Sequence, residues 1–76
     1  MTEEELTQAY KKAREAYEKF GLRAVSPNDL KALFLYEIWE DGADWWSTVK
    51  VLMRDPIYSE QDMRRYLVDV FGYNEG

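Results

Sequence analysis

Apolar residues recur along this chain with the three- and four-residue spacing of a helix, and nowhere with the strict alternation of a half-buried strand. Leu6, Ala9, Tyr10, Ala13, Ala16, Tyr17 and Phe20 form one such stripe, with Lys11, Lys12, Arg14, Glu15, Glu18 and Lys19 outside it. Trp45, Trp46, Val49, Leu52 and Met53 form a second, and Met63, Tyr66, Leu67, Val70 and Phe71 a third. Between the first two lies a segment with apolar residues on both sides, Leu30, Leu33 and Phe34 on one and Leu35, Tyr36, Ile38 and Trp39 on the other. A helix that is apolar most of the way round belongs at the centre of a bundle.

The punctuation between stripes agrees. Thr2 followed by Glu5 is a capping-box spacing, Ser26 followed by Asp29 and Ser59 followed by Asp62 are weaker boxes because Asp is the shorter partner, and Met1 with Leu6 and Tyr58 with Met63 are the matching hydrophobic staples. Ser26 precedes Pro27, which suits the first helical position, and Val25 pairs with Leu30 in the same staple sense. Asp44 is the expected cap of the third helix, which ends where Pro56 turns Asp55 away from helical geometry. Gly21, Gly42 and Gly72 fall where a left-handed residue closes a helix, and Leu22 against Tyr17 and Tyr73 against Val68 are the expected Schellman contacts. The predicted fold is all-α, a compact four-helix domain with helices over about 3-20, 27-41, 45-54 and 60-71 and the second helix central. The caps fall at unequal intervals, and a 34-residue helical-hairpin repeat is missing, so the chain does not read as a solenoid.

Size sharpens this picture. A chain of 76 residues has room for one domain, 1-76, and puts only about 60% of its unfolded surface out of water. Its three Trp, six Tyr and three Phe supply large buried area with few rotatable bonds. Cys and His are both missing, which removes disulfides, thiolate chemistry, the usual zinc ligands and the usual proton shuttle. Ser26 and Ser59 read as caps, no glycine pattern forms a phosphate loop, and no carboxylate pair is singled out, so an enzyme is not expected and no cofactor is implied. The longest apolar run is Ala32 to Tyr36, far short of a membrane span, and the start is acidic, which makes a soluble, cytoplasmic protein the expectation.

The feature that helix stability leaves unexplained is acidic. Glu37, Glu40, Asp41 and Asp44 crowd the end of the second helix, where the helix field favours cations and like charges at this spacing repel. Trp39 and Trp45 lie beside them. An aromatic group rimmed by charge is a contact surface, so Glu37, Trp39, Glu40, Asp41, Asp44 and Trp45 are the candidate partner-binding residues. The plainer reading is a solvated face neutralised by Lys50 or Arg54. A metal site is not expected, because Asp41-Gly42-Ala43-Asp44 lacks the alternating ligands and closing Glu of a calcium loop.

Three function classes follow. The first is a small helical protein-protein interaction module whose partner is another protein with a basic surface. The second is an acidic inhibitor that occupies the groove of a nucleic-acid-binding protein by charge mimicry. The third is a helix-turn-helix DNA-binding module, with Ser47, Thr48, Lys50 and Arg54 as exposed donors and Arg64 and Arg65 as a small added patch. The net charge of −5 and the acids at the entrance to the third helix oppose direct nucleic-acid binding. The second apolar side of helix two leaves a homo-oligomer as a further expectation, unless Leu22 and Val25 cover it from within the chain.

Overall fold

A computed structural model describes residues 2–45, 47–48 and 59–75. The first helix, α1 (Glu3–Phe20), begins with the reciprocal cap that its sequence predicts. The Glu5 N–H donates to Thr2 Oγ1 (3.1 Å) and the Thr2 N–H donates to Glu5 Oε1 (3.3 Å), so two otherwise unpaired donors are satisfied together. It stops at Gly21, at φ 86°, a conformation that costs an L side chain dearly and glycine little. The chain then tightens into a 3₁₀ turn, Leu22–Ala24, and enters α2 (Pro27–Glu40) through Ser26, whose side chain accepts from the Asp29 N–H (3.3 Å). Here the cap is one-sided, so the expected Ser26–Asp29 box is not reciprocal.

The end of α2 carries the Schellman closure. The Ala43 N–H donates to the Ile38 carbonyl (3.1 Å) and the Gly42 N–H to the Trp39 carbonyl (3.1 Å), with Gly42 at φ 115°, which is the double bond pattern of that motif. Gly21 and Gly72 also take the positive φ expected of them, 86° and 75°, but close their helices with other bonds. Gly21 leads straight into the 3₁₀ turn, and after Gly72 the Tyr73 N–H reaches the Leu67 carbonyl (3.0 Å), a wider closure than the Schellman bond.

Residues 45, 47 and 48 are helical, and Asp44 caps them as predicted: the Ser47 N–H donates to Asp44 Oδ1 (2.8 Å) and the Thr48 N–H to the Asp44 carbonyl (3.0 Å). The rest of the expected 45-54 helix, including Trp46, Val49, Lys50, Leu52, Met53 and Arg54, lies outside the described residues, as do Met1 and Tyr58 of the expected staples. The last helix, α3 (Glu60–Asp69), corresponds to the predicted 60-71 and opens on a reciprocal Ser59–Asp62 cap. Its C-terminal end is two residues shorter because Val70 is already the cap.

The described residues are thus three helices with printed ends, the helical residues 45, 47 and 48, and a 3₁₀ turn, without strands among them. The radius of gyration is 11.5 Å, against about 11 Å for a compact domain of this length.

α2 is the centre, as its sequence implies. It packs against both α1 and α3, and Leu30, Ala32, Leu33, Phe34 and Leu35 are each no more than 5% exposed. Leu22 and Val25 of the connecting turn are buried in the same core with Leu6, Ala13, Met63, Leu67 and Tyr73. The apolar stripes of the outer helices are narrower than the spacing suggests. Phe20 is 70% exposed, Val70 55% and Tyr66 39%, and Phe20 and Val70 stand at helix ends.

One cation has a role the sequence does not suggest. Arg64 reads as a solvated helix position, yet its Nη1 donates to the Leu22 carbonyl and its Nη2 to the Val25 carbonyl (3.0 Å) and to Glu60 Oε1 (2.9 Å). The guanidinium fork thereby ties α3 to both ends of the 3₁₀ turn. Replacing Arg64 with Ala is expected to cost about 2 kcal/mol, the scale of charge-assisted bonds to part-buried carbonyls. Arg64→Lys should fall in between, and Arg65→Ala, at an exposed position, should stay within about 0.5 kcal/mol. Urea unfolding of the three variants checks this.

Candidate functional site

The carboxylates at the end of α2 are close in sequence but do not share one task. Glu37 is half-buried, and its Oε1 accepts from the Tyr73 hydroxyl at 2.7 Å. Asp44 spends both oxygens on the start of the next helical turn, Oδ1 on the Ser47 N–H and Oδ2 on the Ser47 hydroxyl (3.0 Å). Local structure therefore accounts for two of the four acids that the sequence leaves unexplained. Glu40, the last residue of α2, and Asp41, its cap, are both exposed. Among the described residues no Lys or Arg pairs with either, and the last turn of α2 holds no basic residue.

Aromatic rings give this end of α2 its shape. Tyr10 of α1 stacks on Tyr36 with centroids 3.8 Å apart and planes 13° from parallel. Tyr36 meets Trp39 edge to face at 5.9 Å, and Trp39 meets Trp45 in the same manner at 5.1 Å. The two edge contacts lie in the favourable range for aromatic pairs. The Schellman turn at Gly42 makes the last contact possible, since it reverses the chain between the two Trp. Both indoles remain half-buried, next to exposed Glu40 and Asp41. Burial, and then the neighbouring Glu40, hold the Tyr36 phenol above its ordinary pKa.

Of the six predicted site residues, the structure brings Trp39 and Trp45 into contact, leaves Glu40 and Asp41 exposed at the end of α2, bonds Glu37 to the C-terminal segment, and uses Asp44 as a cap. Of the four donors expected of a DNA-reading helix, Ser47 and Thr48 are committed within the chain, and Lys50 and Arg54 lie outside the described residues. Thr48 is buried and its Oγ1 donates to the Asp44 carbonyl (2.8 Å), while the Ser47 hydroxyl is held by Asp44. A surface depression of about 460 Å³ lies elsewhere, lined by Tyr17, Glu18, Lys19, Phe20, Gly21 and Asn74; none of the six predicted residues borders it. Among the described residues no group of three acids is arranged to hold a metal ion, and no helix is long and apolar enough to cross a membrane.

No protein-family model matches the chain, and no curated protein or solved structure matches it. Its own geometry is what bears on function.

The sequence pattern missed a second cluster, which holds Glu37 through Tyr73. Tyr73 is buried, its ring 4.6 Å from that of Tyr17, and the Arg14 guanidinium lies 5.1 Å from the Tyr17 centroid and 4.9 Å from that of Tyr73 while pairing with Glu18. The Asn74 N–H donates to the Tyr17 hydroxyl (2.8 Å) and the Arg23 N–H to the Glu75 carbonyl (3.2 Å). The C-terminal segment is thereby fastened to α1, the 3₁₀ turn and α2. Tyr17 and Tyr73 are visible in the sequence only as a stripe residue and a residue after a glycine; nothing in their spacing pairs them across 56 positions.

Burial, reinforced by donation to Glu37 and opposed by Arg14, holds the Tyr73 phenol far above its ordinary pKa. A raised folded pKa means that protonated Tyr73 stabilises the protein in full below the unfolded tyrosine value of about 10, and that this stability is lost as pH rises beyond it. Tyr73→Phe is therefore expected to cost about 1.5 kcal/mol at neutral pH, where the bond to a carboxylate is removed. The gap to the parent protein should narrow above about pH 10, since phenylalanine has no proton to lose. Urea unfolding from neutral to alkaline pH measures both.

Proposed function

We propose that the chain is a small, non-catalytic helical interaction module, a four-helix domain over 1-76 whose contact edge lies at the junction of the second and third predicted helices. The partner is another protein with a basic surface. The observation that carries this reading is the edge itself. Glu40 and Asp41 are exposed and unpaired with any cation among the described residues, at a helix end whose own field disfavours them, beside two half-buried indoles in edge contact. Carboxylates so placed cost local stability, and a basic partner would compensate for that cost. Trp39 and Trp45 supply the rigid apolar area that concentrates binding energy in interfaces, and the acids supply steering. The commitment of Thr48 and Ser47 to Asp44 and the acidity of this end weigh against direct DNA reading.

A partner captured on the immobilised chain at low salt, then purified, allows a decisive comparison. Glu40→Lys with Asp41→Lys should slow its association about tenfold or more, the scale of electrostatic steering, with the difference closing at high salt. Glu3→Lys with Glu4→Lys makes the same change in net charge at the start of α1 and should have little effect. Equal slowing by the two pairs would reduce the edge to net charge alone, and unchanged rates in both would remove it.

A further inference from the structure

Arg14, Tyr17 and Glu18 stand three and four residues apart on α1 and so share one side of it. The Arg14 guanidinium lies 5.1 Å from the Tyr17 centroid and 4.9 Å from that of Tyr73, and its Nε donates to Glu18 Oε1 at 3.2 Å. Two tilted rings, one from the helix and one from a segment that returns to it, thus hold a guanidinium whose charge a carboxylate one turn on balances. The end of α2 repeats the ring and the carboxylate at the same spacing. Trp39 and Glu40 follow Tyr36 by three and four residues, and the chain returns across Gly42 to set Trp45 against Trp39 at 5.1 Å, with planes 65° apart. Tyr36 stands where α1 has its arginine. The two indoles are half-buried and Glu40 is exposed. Among the described residues no cation lies over either indole or pairs with Glu40.

We propose that the end of α2 is an arginine-binding position, at which a guanidinium from the basic partner lies on the open indole surface of Trp39 and Trp45 and pairs with Glu40. This rests on the reading of that end as a contact for a basic protein, and it names the side chain that makes the contact. Charge complementarity calls for a cation, and the rings select which one. Indole is the strongest of the aromatic rings for holding a cation. A planar guanidinium can stack on it while offering its fork to a carboxylate, and it is less strongly hydrated than an ammonium. A lysine in the same place gains the charge attraction but neither the stacking nor the fork. Arginine is therefore preferred over lysine at equal charge, as Arg14 is satisfied by the same groups on α1.

Capped peptides carrying either two arginines or two lysines between glycines separate stacking from charge. Each is titrated at low salt into the full chain, with the Trp39 and Trp45 indole N–H resonances as the readout. The arginine peptide should bind about threefold or more tightly than its lysine twin, the scale of a partly solvated cation–π contact, and should shift both indoles. Trp45→Leu should abolish the preference while leaving the charge attraction, with circular dichroism confirming the fold. Glu40→Gln, at an exposed position outside the core, should weaken the arginine peptide more than the lysine one. Equal affinity of the two peptides, with both indoles shifted, overturns the selection of arginine and leaves the basic-partner reading standing. Indoles that neither peptide moves overturn both, as a cation of the chain itself already seated on Glu40 would require. An undiminished arginine preference in folded Glu40→Gln places the guanidinium elsewhere and overturns the assignment.

Discussion

The burial of α2 is the constraint from which the other features follow. Leu30, Leu33, Phe34 and Leu35 point in different directions around one helix, and all are within 2% of complete burial. No single neighbour can cover such a helix. α1 covers one side, α3 another, and Leu22 and Val25 of the 3₁₀ turn fill the approach to its first turn. In a domain this small the margin between apolar burial and chain entropy is narrow. The geometry of the outer elements is accordingly dictated by what α2 needs covered.

The polar anchors hold that cover in place. Arg64 joins α3 to the turn that precedes α2, and Tyr73 joins the C-terminal segment to Glu37 on α2 while its ring lies against Tyr17 and Arg14 of α1. Each is a long-range contact whose partners are backbone carbonyls or a carboxylate, so direction as well as distance is specified. The same anchoring explains the division among the acids at the end of α2. Glu37 belongs to the fold, Asp44 belongs to the start of the next helical turn, and Glu40 and Asp41 are left at the surface beside Trp39 and Trp45.

Local chemistry was legible in the sequence, and long-range pairing was not. Thr2, Ser26, Asp44 and Ser59 act as caps because capping depends on residues three positions apart, which any reading of the chain can see. The all-round apolar pattern of α2 revealed its central place for the same reason. Phe20, Tyr66 and Val70 were misplaced because periodicity shows which side of a helix is apolar, not how wide a strip its neighbour covers. Arg64 and Tyr73 were missed because their partners lie 39 and 36 residues away or more, and only the assembled fold brings them together. At the candidate edge, Trp39 and Trp45 stood out in the sequence by their nearness to the acids, whereas the contact between their rings came from the fold and the withdrawal of Glu37 depended on a residue at the far end of the chain.

Native-state hydrogen exchange resolved by residue tests the central role of α2 most directly. If the outer elements exist to cover it, amides in the middle of α2 open only when the whole domain unfolds, so their exchange free energy equals the global stability from urea unfolding. Amides of α1 and α3 then exchange at the same free energy or below it. Amides of α1 or α3 that remain protected while those of α2 exchange through a smaller, local opening would contradict the account.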